Sequence, residues 1–350
     1  MKVFKILFFF TCFLISKASF SQDFSNLSLK DSRFKEIEKN LNLSFPKDHG
    51  SHPEYRIEWW YFTSNLKDDE NNDIGLQWTL FRFSSEPFDI KKTKWLSKEI
   101  WMGHIAITTK SKHYYQEKIA RGGISQSGVI SQPFTAWIDD WKVYGENWEK
   151  LTMQANTEKF NFQIELNSIK PLVLHGEKGF SLKSFDGTAS AYYSQPFFKA
   201  KGFVEIEGEK KTVNGSAWAD REWSSQFLKK DQKGWDWFSL NFENGEKLML
   251  FQVRSDKNKN FKSGSYILKN GNVNNLQNAE IVFKPIKYTK INKKEIPTTW
   301  EIYSNNLELD IKVEALNKNS YLNTIFPYWE GPVRITGNKN GNGYLEMTGY

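Results

Sequence analysis

The sequence contains a single cysteine, Cys12, among its 350 residues. Cys12 lies in a leader with basic residues, an apolar core and small residues before a cleavage point, the three parts of a secretory signal peptide. We expect residues 1–21 to be removed before Gln22, and the mature chain to be periplasmic or secreted. Such a chain would have no cysteine, which excludes disulfide bonds, a thiol nucleophile and cysteine-ligated metal centres. Its stability must then come from a large core.

Other features are also absent. No stretch after the leader approaches the ~18 apolar residues of a membrane span, so we expect no transmembrane anchor in the mature chain. The motifs of nucleophile-elbow hydrolases, zinc peptidases, dinucleotide enzymes and P-loop proteins are missing. The net charge of +7 is scattered, and the short lysine runs at 91–94 and 229–230 are typical of solvated loops, so no nucleic-acid partner is expected. His49 and His52 lack a third ligand nearby, and we expect neither a metal nor a cofactor.

Aromatic residues are abundant, with 14 Trp, 14 Tyr and 28 Phe. After Pro46 the chain shows short runs rich in Phe, Trp, Ile, Val and Thr, separated by turn sequences such as Asn214-Gly215 and Asn244-Gly245. This spacing predicts an all-β protein. The expected organisation is a leader arm over residues 22–45, an N-terminal β domain over 46–192 and a C-terminal β domain over 193–350. The runs predicted as strands are 56–62, 75–83, 101–109, 151–155, 160–166, 201–207, 215–223, 234–242, 248–254, 264–269, 279–284, 298–303, 307–313 and 332–336.

The run over residues 56–62 is a first candidate for chemistry. In a strand, Glu58 and Trp60 share one face, and Trp59 and Tyr61 share the other. An aromatic setting raises the pKa of a carboxyl, so Glu58 is a candidate proton donor. The alternative is a structural Glu58 that pairs with an arginine such as Arg82 or Arg221.

The run over residues 215–225 is a second candidate. Trp218, Asp220 and Glu222 share one strand face, while Arg221 and Trp223 lie on the other. Residues i and i+2 of a strand lie about 7 Å apart, so the two carboxylates can perturb one another and leave one protonated near neutral pH. Paired carboxylates also serve glycoside hydrolysis. The alternative is a structural ion-pair network with Arg221.

Two further runs supply candidates. Trp235 and Trp237 line one face of the strand predicted at 234–242. His104 lies among apolar neighbours, where it is either a general acid–base group or a structural core histidine.

These runs, taken together and in order, resemble the AttH-like family, which is related to the carotenoid 1,2-hydratases (hydroxyneurosporene synthases). The resemblance extends over about residues 45–350. The segments that carry it include 45–53 (FPKDHGSHP), 58–63 (EWWYFT), 77–82 (QWTLFR), 101–106 (WMGHIA), 171–176 (PLVLHG), 217–225 (AWADREWSS), 234–238 (GWDWF), 328–333 (YWEGPV) and 343–350 (GYLEMTGY).

The resemblance implies two lipocalin-like antiparallel β-barrels packed together, with a ligand pocket in one barrel or between them. It also implies that a hydratase-like member adds water to an isolated double bond, with Asp220 or Glu222 as the acid. The aromatic rings facing the developing cation would come from Trp218, Trp223, Trp235 or Trp237. Relatives lead us to expect a histidine at position 221, and this chain has Arg221. An arginine stays protonated, so it serves in ion pairs or in binding an anionic head group and not in proton transfer.

Three functional interpretations follow. In the first, an aromatic pocket binds a small apolar or amphipathic molecule and performs acid–base chemistry, either hydratase-like or hydrolytic. Its catalytic candidates are Asp220, Glu222, Glu58 and His104, and its ligand-binding candidates are Trp60, Arg82, Trp218, Arg221, Trp223, Trp235 and Trp237. In the second, the same pocket belongs to a non-catalytic lipocalin-like carrier. In the third, the chain is a carbohydrate-active hydrolase. Convergence of the acids on one cavity favours catalysis, ion pairs away from any pocket favour the carrier, and an open tryptophan-flanked cleft favours the sugar hydrolase.

Overall fold

The computed structural model describes residues 32–87, 97–226, 228–229, 231–278 and 280–350. The predicted signal peptide and the start of the predicted leader arm lie outside these residues. The described part of the arm contains no strand, but it is docked on the body: Phe34 is buried, and Ile37, Leu41 and Leu43 pack against the first core. A 3-10 turn, Lys47–His49, follows the arm.

The first sheet is antiparallel and contains thirteen described strands. They are β1 (Ile57–Asp68), β2 (Asp73–Ser84), β3 (Glu99–Thr109), β4 (His113–Arg121), β5 (Ser127–Ser131), β6 (Phe134–Ile138), β7 (Trp141–Asn147), β8 (Lys150–Asn156), β9 (Phe160–Ser168), β10 (Val173–Leu174), β11 (Phe180–Leu182), β12 (Ala189–Ile206) and β13 (Glu209–Ser224). Their order is β4-β3-β2-β1-β13-β12-β9-β8-β7-β6-β5, with β10 and β11 paired to β12.

The second sheet is also antiparallel and contains ten described strands. They are β14 (Gln232–Phe242), β15 (Lys247–Ser255), β16 (Phe261–Ile267), β17 (Val273–Gln277), β18 (Val282–Ile291), β19 (Lys294–Ser304), β20 (Leu309–Ala315), β21 (Tyr321–Leu322), β22 (Tyr328–Gly337) and β23 (Gly341–Thr348). Their order is β17-β16-β15-β14-β23-β22-β20-β19-β18, with β21 paired to β22.

The division between the sheets falls between Ser224 and Gln232, later than the expected boundary at 192/193. The expected boundary lies inside β12, which is flanked by β9 and β13 in the first sheet. Strands β12 and β13 are both hydrogen-bonded members of the first sheet, so residues 193–224 belong to the first sheet and not to the second.

Each sheet curls around its own core, giving a barrel and a half-barrel of lipocalin-like type. The first core includes Trp60, Phe62 and Trp78, and the second includes Phe238, Trp300 and Trp329. The predicted all-β fold is confirmed. In the part of the chain that is described, no helix has the length and apolar character needed to cross a membrane.

A third apolar cluster lies between the sheets. It includes Tyr61, Tyr192 and Trp218 from the first sheet and Trp237 and Phe251 from the second. These side chains are on the outer faces of their sheets, opposite to the residues that fill the two barrel cores. The aromatic excess of the sequence therefore fills three layers, of which the middle one holds the sheets together.

The sheets approach one another closely at Gly75 in β2. A Cβ atom built there would lie 2.5 Å from Pro332 Cγ and 2.6 Å from the Tyr344 hydroxyl, on the second sheet. Real Cβ atoms do not approach other atoms so closely, so only glycine allows this contact without a shift of one sheet.

Candidate active site between the two sheets

A cavity of about 110 Å³ lies in the middle layer, between the outer faces of the two sheets. Its wall is mostly apolar and aromatic, and its polar members are few: three carboxyl groups, one lysine, and a small number of hydroxyl and amide groups. The residues that line it are Ile57, Trp59, Tyr61, Phe81, Phe83, Lys183, Ser190, Tyr192, Asp220, Glu222, Ser224, Gln226, Leu228, Trp235, Trp237, Phe251, Val253 and Glu346. A largely apolar cavity with a few convergent polar groups is typical of a small-molecule site.

Strand alternation explains why the acids meet the aromatic rings. In the antiparallel pair β1–β13, Tyr61 lies opposite Asp220 and Trp59 lies opposite Glu222. Side chains of directly paired residues project from the same face of a sheet. The alternation predicted for both runs is therefore confirmed, and it brings Asp220 and Glu222 to the cavity together.

Asp220 is 3% exposed and is surrounded by neutral hydrogen-bond partners. Its Oδ1 accepts from Trp218 Nε1 at 2.7 Å and contacts the Ser194 hydroxyl, and its Oδ2 accepts from the Tyr192 hydroxyl at 2.9 Å. Burial raises the pKa of Asp220 to about 7, and the nearby charge of Glu222 adds to the rise, although the three hydrogen bonds oppose it. Asp220 is thus a carboxyl group poised to hold and release a proton near neutral pH.

Glu222 has a different environment, although it lies only two residues away. Its Oε1 lies 2.7 Å from the ammonium of Lys183 and also accepts from the Ser190 hydroxyl. The same ammonium lies over the rings of Tyr192 and Phe251, at 4.6 and 4.1 Å from their centres. The site therefore contains one carboxyl held by neutral donors and one held by a cation.

Glu346 approaches the cavity from the second sheet. It lies in β23, opposite Trp237 in β14 and Glu330 in β22, and its Oε1 accepts from Trp235 Nε1 at 2.6 Å. Burial raises the pKa of Glu346 to about 7, and Asp220 and Glu222 raise it further by repulsion. Behind it, the buried Glu330 accepts from the Tyr61 hydroxyl at 2.5 Å, and burial raises the pKa of Glu330 well above its ordinary value.

The predicted ligand-binding tryptophans lie in three places. Trp235 and Trp237 line the cavity, as their strand face predicted, and Trp237 Nε1 donates to the Tyr192 hydroxyl at 3.0 Å. Trp218 is not part of the cavity wall, but it holds Asp220 from behind. Trp60 and Trp223 belong to the core inside the first barrel.

The run around Glu58 forms a separate buried cluster on the inner face of the first sheet. Glu58 is fully buried, with Arg82 Nε at 2.5 Å from Oε1 and Arg221 at 2.7 Å from Oε2. The Arg221 guanidinium lies 3.6 Å from the centre of the Trp60 ring, and it also donates to the Gly50 carbonyl. This cluster fastens the segment around residues 46–56 to the end of the first barrel.

The expectation of a raised pKa at Glu58 is wrong. Burial alone would raise its pKa, but the guanidinium groups of Arg82 and Arg221 outweigh burial and lower the pKa below its ordinary value. Glu58 is a carboxylate held in ion pairs away from the cavity, which corresponds to the structural alternative. Arg82 and Arg221 likewise bind Glu58 and do not line the cavity.

His104 is buried at another part of the contact between the sheets. Its Nδ1 lies 2.9 Å from the Tyr328 hydroxyl and its Nε2 lies 3.0 Å from Glu117. Burial lowers the pKa of His104, and Glu117 only partly offsets this effect. His104 does not line the cavity, so the structure brings two of the four predicted catalytic residues together there.

The two remaining sequence candidates, His49 and His52, have structural partners. His49 stacks on Trp148 at 4.4 Å, and His52 stacks on Trp223 at 3.9 Å while its backbone amide donates to Glu58. Within the described ranges, no group of three or more histidine, cysteine, aspartate or glutamate side chains is arranged to hold a metal ion.

Four important cavity residues are absent from the sequence-based candidates: Tyr61, Lys183, Tyr192 and Glu346. Strand alternation places Tyr61 on the face of β1 opposite to Glu58, and this is the face that lines the cavity. Tyr61 was therefore within reach of the sequence pattern. Glu346 and Lys183 gave no local signal, since only long-range packing brings them to Asp220 and Glu222.

The fold and the site together define a class, that of lipocalin-like proteins of two packed β units with an acid-lined cavity between them. A model of the AttH-like proteins matches residues 36–350, and the chain belongs to the AttH-like family. Family membership, expected from the sequence, is confirmed.

Two solved structures resemble this chain over most of its length. The first is a protein from Nitrosomonas europaea assigned as AttH, with 30% identity, a TM-score of 0.82, and coverage of 91% of this chain and 99% of that one. The second is kievitone hydratase from Nectria haematococca, with 15% identity, a TM-score of 0.67, and coverage of 92% and 98%. A search of curated proteins found no match.

Proposed function

We propose that the protein is an exported acid–base catalyst that adds water to a carbon–carbon double bond of a small apolar or amphipathic molecule held in the cavity. The observation that carries this proposal is the contrast between Asp220 and Glu222. Both face one aromatic cavity, yet one is held by neutral donors with a pKa near 7, and the other is paired with Lys183. Two carboxyl groups held so differently in one site, one by neutral donors and the other by a cation, are suited to act as an acid and a base.

The reaction follows from these two environments. Asp220 gives its proton to one alkene carbon, which leaves a positive charge on the neighbouring carbon. A water molecule attacks that carbon through oxygen, and its surplus proton passes to the carboxylate of Glu222. The overall change adds one water and needs no other reactant, and the reverse sequence removes water from an alcohol. Glu346, on the opposite sheet, is a second proton donor candidate for a substrate bound in the other orientation.

The cavity wall suits a cationic intermediate. The rings of Trp59, Tyr61, Trp235 and Trp237 line it, and the faces of aromatic rings attract positive charge. The carboxylate of Glu222 lies on the same wall and adds attraction. A substrate that presents an electron-rich, substituted double bond gives the more stable cation and is therefore preferred.

The architecture is consistent with this chemistry. The hydratase from Nectria haematococca has the same fold at 15% identity, so this fold houses a hydratase in at least one protein. The chemistry proposed for this chain rests on its own cavity residues. The buried position of the carboxyl groups in a mostly apolar wall favours an apolar substrate over a sugar, for which an open, hydrogen-bonding cleft is expected.

The test is turnover of a panel of alkenes, such as prenylated phenols and short polyenes, in water labelled with heavy oxygen. The expected product, detected by mass spectrometry, is an alcohol that carries the label. We expect Asp220→Asn and Glu222→Gln to lower turnover by about 100-fold or more. Both should bind the apolar fluorophore N-phenyl-1-naphthylamine within a few-fold of the wild type, because the aromatic wall is unchanged.

Asp236→Asn is the matched control. Asp236 is as buried as Asp220 and lies between Trp235 and Trp237 in sequence, but it faces the second barrel, where Gln252, Arg254 and Tyr350 hold it. This variant should keep its turnover. Labelled product formed equally well by Asp220→Asn would contradict the assignment of the acid, and a wild type that binds the fluorophore but hydrates no alkene would favour the carrier.

A further inference from the structure

A chain of side-chain hydrogen bonds leads from Asp220 away from the cavity. The Ser194 hydroxyl contacts Asp220 Oδ1 and lies 2.6 Å from His175 Nε2. On the other side of the ring, His175 Nδ1 lies 2.8 Å from Ser265 Oγ, and Ser265 Oγ donates to Asn275 Oδ1 at 3.2 Å. The first four side chains are buried and Asn275 is exposed. A continuous hydrogen-bonded route therefore joins the cavity acid to the protein surface.

The ring of His175 is suited to pass a proton along this route. It is fully buried in the connection between β10 and β11, and it bridges the two sheets because Ser194 belongs to the first and Ser265 to the second. Burial lowers the pKa of His175 to about 3, and the ammonium of Lys183 contributes to the decrease. A neutral imidazole has one donor and one acceptor nitrogen, so it transmits a proton by exchanging its tautomers without becoming charged.

The single hydrogen of Ser194 links the direction of the chain to the state of Asp220. The Ser194 hydroxyl has two acceptor candidates, Asp220 Oδ1 and His175 Nε2, and it donates to one of them at a time. When Asp220 is a carboxylate, Ser194 donates to it and accepts from His175 Nε2–H. When Asp220 is protonated, Asp220 donates to Ser194, which then donates to His175 Nε2. Every hydrogen bond from Asp220 to Ser265 thus has a consistent donor in both states, with the direction reversed between them. Ser265 donates to Asn275 Oδ1 when Asp220 is protonated, and it donates to His175 Nδ1 instead when Asp220 is a carboxylate.

We propose that Asp220, Ser194, His175 and Ser265 form a proton relay that restores the proton of Asp220 between turnovers. The inference rests on the proposed function, since that reaction leaves Asp220 as a carboxylate while the product still fills the cavity. A proton passes from Ser265 to His175 Nδ1, His175 Nε2 gives its proton to Ser194, and Ser194 gives its own to Asp220. Ser265 regains a proton from solvent beside Asn275, and Glu222 releases to solvent the proton that it took from the attacking water. The site thus returns to its starting state, and no bond other than O–H and N–H changes. His175 acts through Asp220 and is a positioning residue.

The test follows hydrogen–deuterium exchange at the Asp220 carboxyl by infrared spectroscopy, after transfer into deuterated water with N-phenyl-1-naphthylamine in the cavity. The carboxyl band is assigned by its loss in Asp220→Asn. We expect His175→Gln and Ser265→Ala to slow the exchange roughly tenfold or more. Glutamine retains one donor and one acceptor but has no tautomer to exchange, so a purely structural role for His175 would leave the rate nearly unchanged. Ser194→Thr retains the hydroxyl and should restore exchange that Ser194→Ala loses.

Wild-type exchange in both His175→Gln and Ser265→Ala would overturn the relay. Ser265→Ala, a small change next to an exposed residue, keeps the test valid if His175→Gln does not fold. With an active substrate, both variants should show a normal first turnover followed by slower steady-state turnover. Exchange that depends on His175 in a protein that hydrates no alkene would support the relay and refute the proposed function. Hydration of an alkene by a protein whose carboxyl exchange does not depend on His175 would support the proposed function and refute the relay.

Discussion

Replacement of Asp220 by asparagine has a calculable effect on how stability changes with pH. The pKa of Asp220 rises from an ordinary 3.8 to about 7 on folding, chiefly because of burial. At low pH, an acid whose pKa is raised by folding is neutral in both the folded and the unfolded protein. It destabilises the fold as the pH rises from the pKa of the unfolded protein to the pKa of the folded protein. One pH unit between the two values corresponds to about 1.4 kcal/mol, so Asp220 costs about 4 kcal/mol at pH 8 compared with pH 3. Between pH 5 and pH 8 the expected change is about 2.5 kcal/mol.

Asparagine cannot ionise, so Asp220→Asn should gain about 2.5 kcal/mol relative to the wild type between pH 5 and pH 8. The comparison removes any constant cost of losing one hydrogen bond, about 1 kcal/mol, because that cost is the same at both pH values. The assay is urea unfolding followed by tryptophan fluorescence at each pH. Asp140→Asn, the same substitution at an exposed position paired with Lys118, is the control and should follow the wild type. A difference between Asp220→Asn and the wild type that stays constant within about 0.5 kcal/mol would refute the electrostatic account of the site.

Two other substitutions test the roles assigned outside the cavity. Glu58→Gln leaves Arg82 and Arg221 buried without their carboxylate, so it should lower the free energy of unfolding by about 3–5 kcal/mol. The refolded protein should keep its fluorophore affinity. A loss of less than about 1 kcal/mol would show that the cluster is not structural. Gly75→Ala pushes a methyl group into Pro332 and Tyr344 and should destabilise the protein by about 1–3 kcal/mol, as measured by urea unfolding. Gly245→Ala, in the connection between β14 and β15, is the control. Its methyl group would meet only the flexible chain of Lys269, at 3.5 Å, and the strain of its positive φ should stay local. Gly75→Ala should weaken fluorophore binding, and Gly245→Ala should leave it unchanged.

The sequence predicted the fold class because most strands are covered on one face or flanked by clear turns. The runs predicted for β2 and β14 lie within two residues of the observed bounds, whereas β1 extends six residues beyond its predicted end and β13 begins six residues before its predicted start. The expected boundary at 192/193 falls in the first half of β12, where residues 189–198 are buried on both faces and the sequence shows no alternation that would mark a strand. The short strands β5, β6 and β7 are not among the predicted runs; they are five to seven residues long and are joined by connections of only two residues, at 132–133 and 139–140.

Part of the site was also predictable. The period of two in a strand separated Asp220 and Glu222 from Arg221 and Trp223, and the cavity confirms that separation. What alternation cannot tell is which face of a sheet fills a barrel and which meets the other sheet, and this is why Glu58 was included among the acids. Glu346 lies in β23, which none of the predicted strands covers. Its approach to Asp220 depends on the contact between the two sheets, because Asp220 and Glu346 are more than 100 positions apart in sequence.

The most direct test of the proposed hydration site is the identity of the small molecule that co-purifies from the native host with wild-type protein and with Asp220→Asn. The account predicts that the variant retains an apolar alkene, because it binds the substrate but cannot protonate it. The wild type should carry instead the same molecule heavier by the mass of one water, or no ligand. An identical, unhydrated ligand bound to both proteins and unchanged after prolonged incubation with the wild type would contradict the account and identify a carrier.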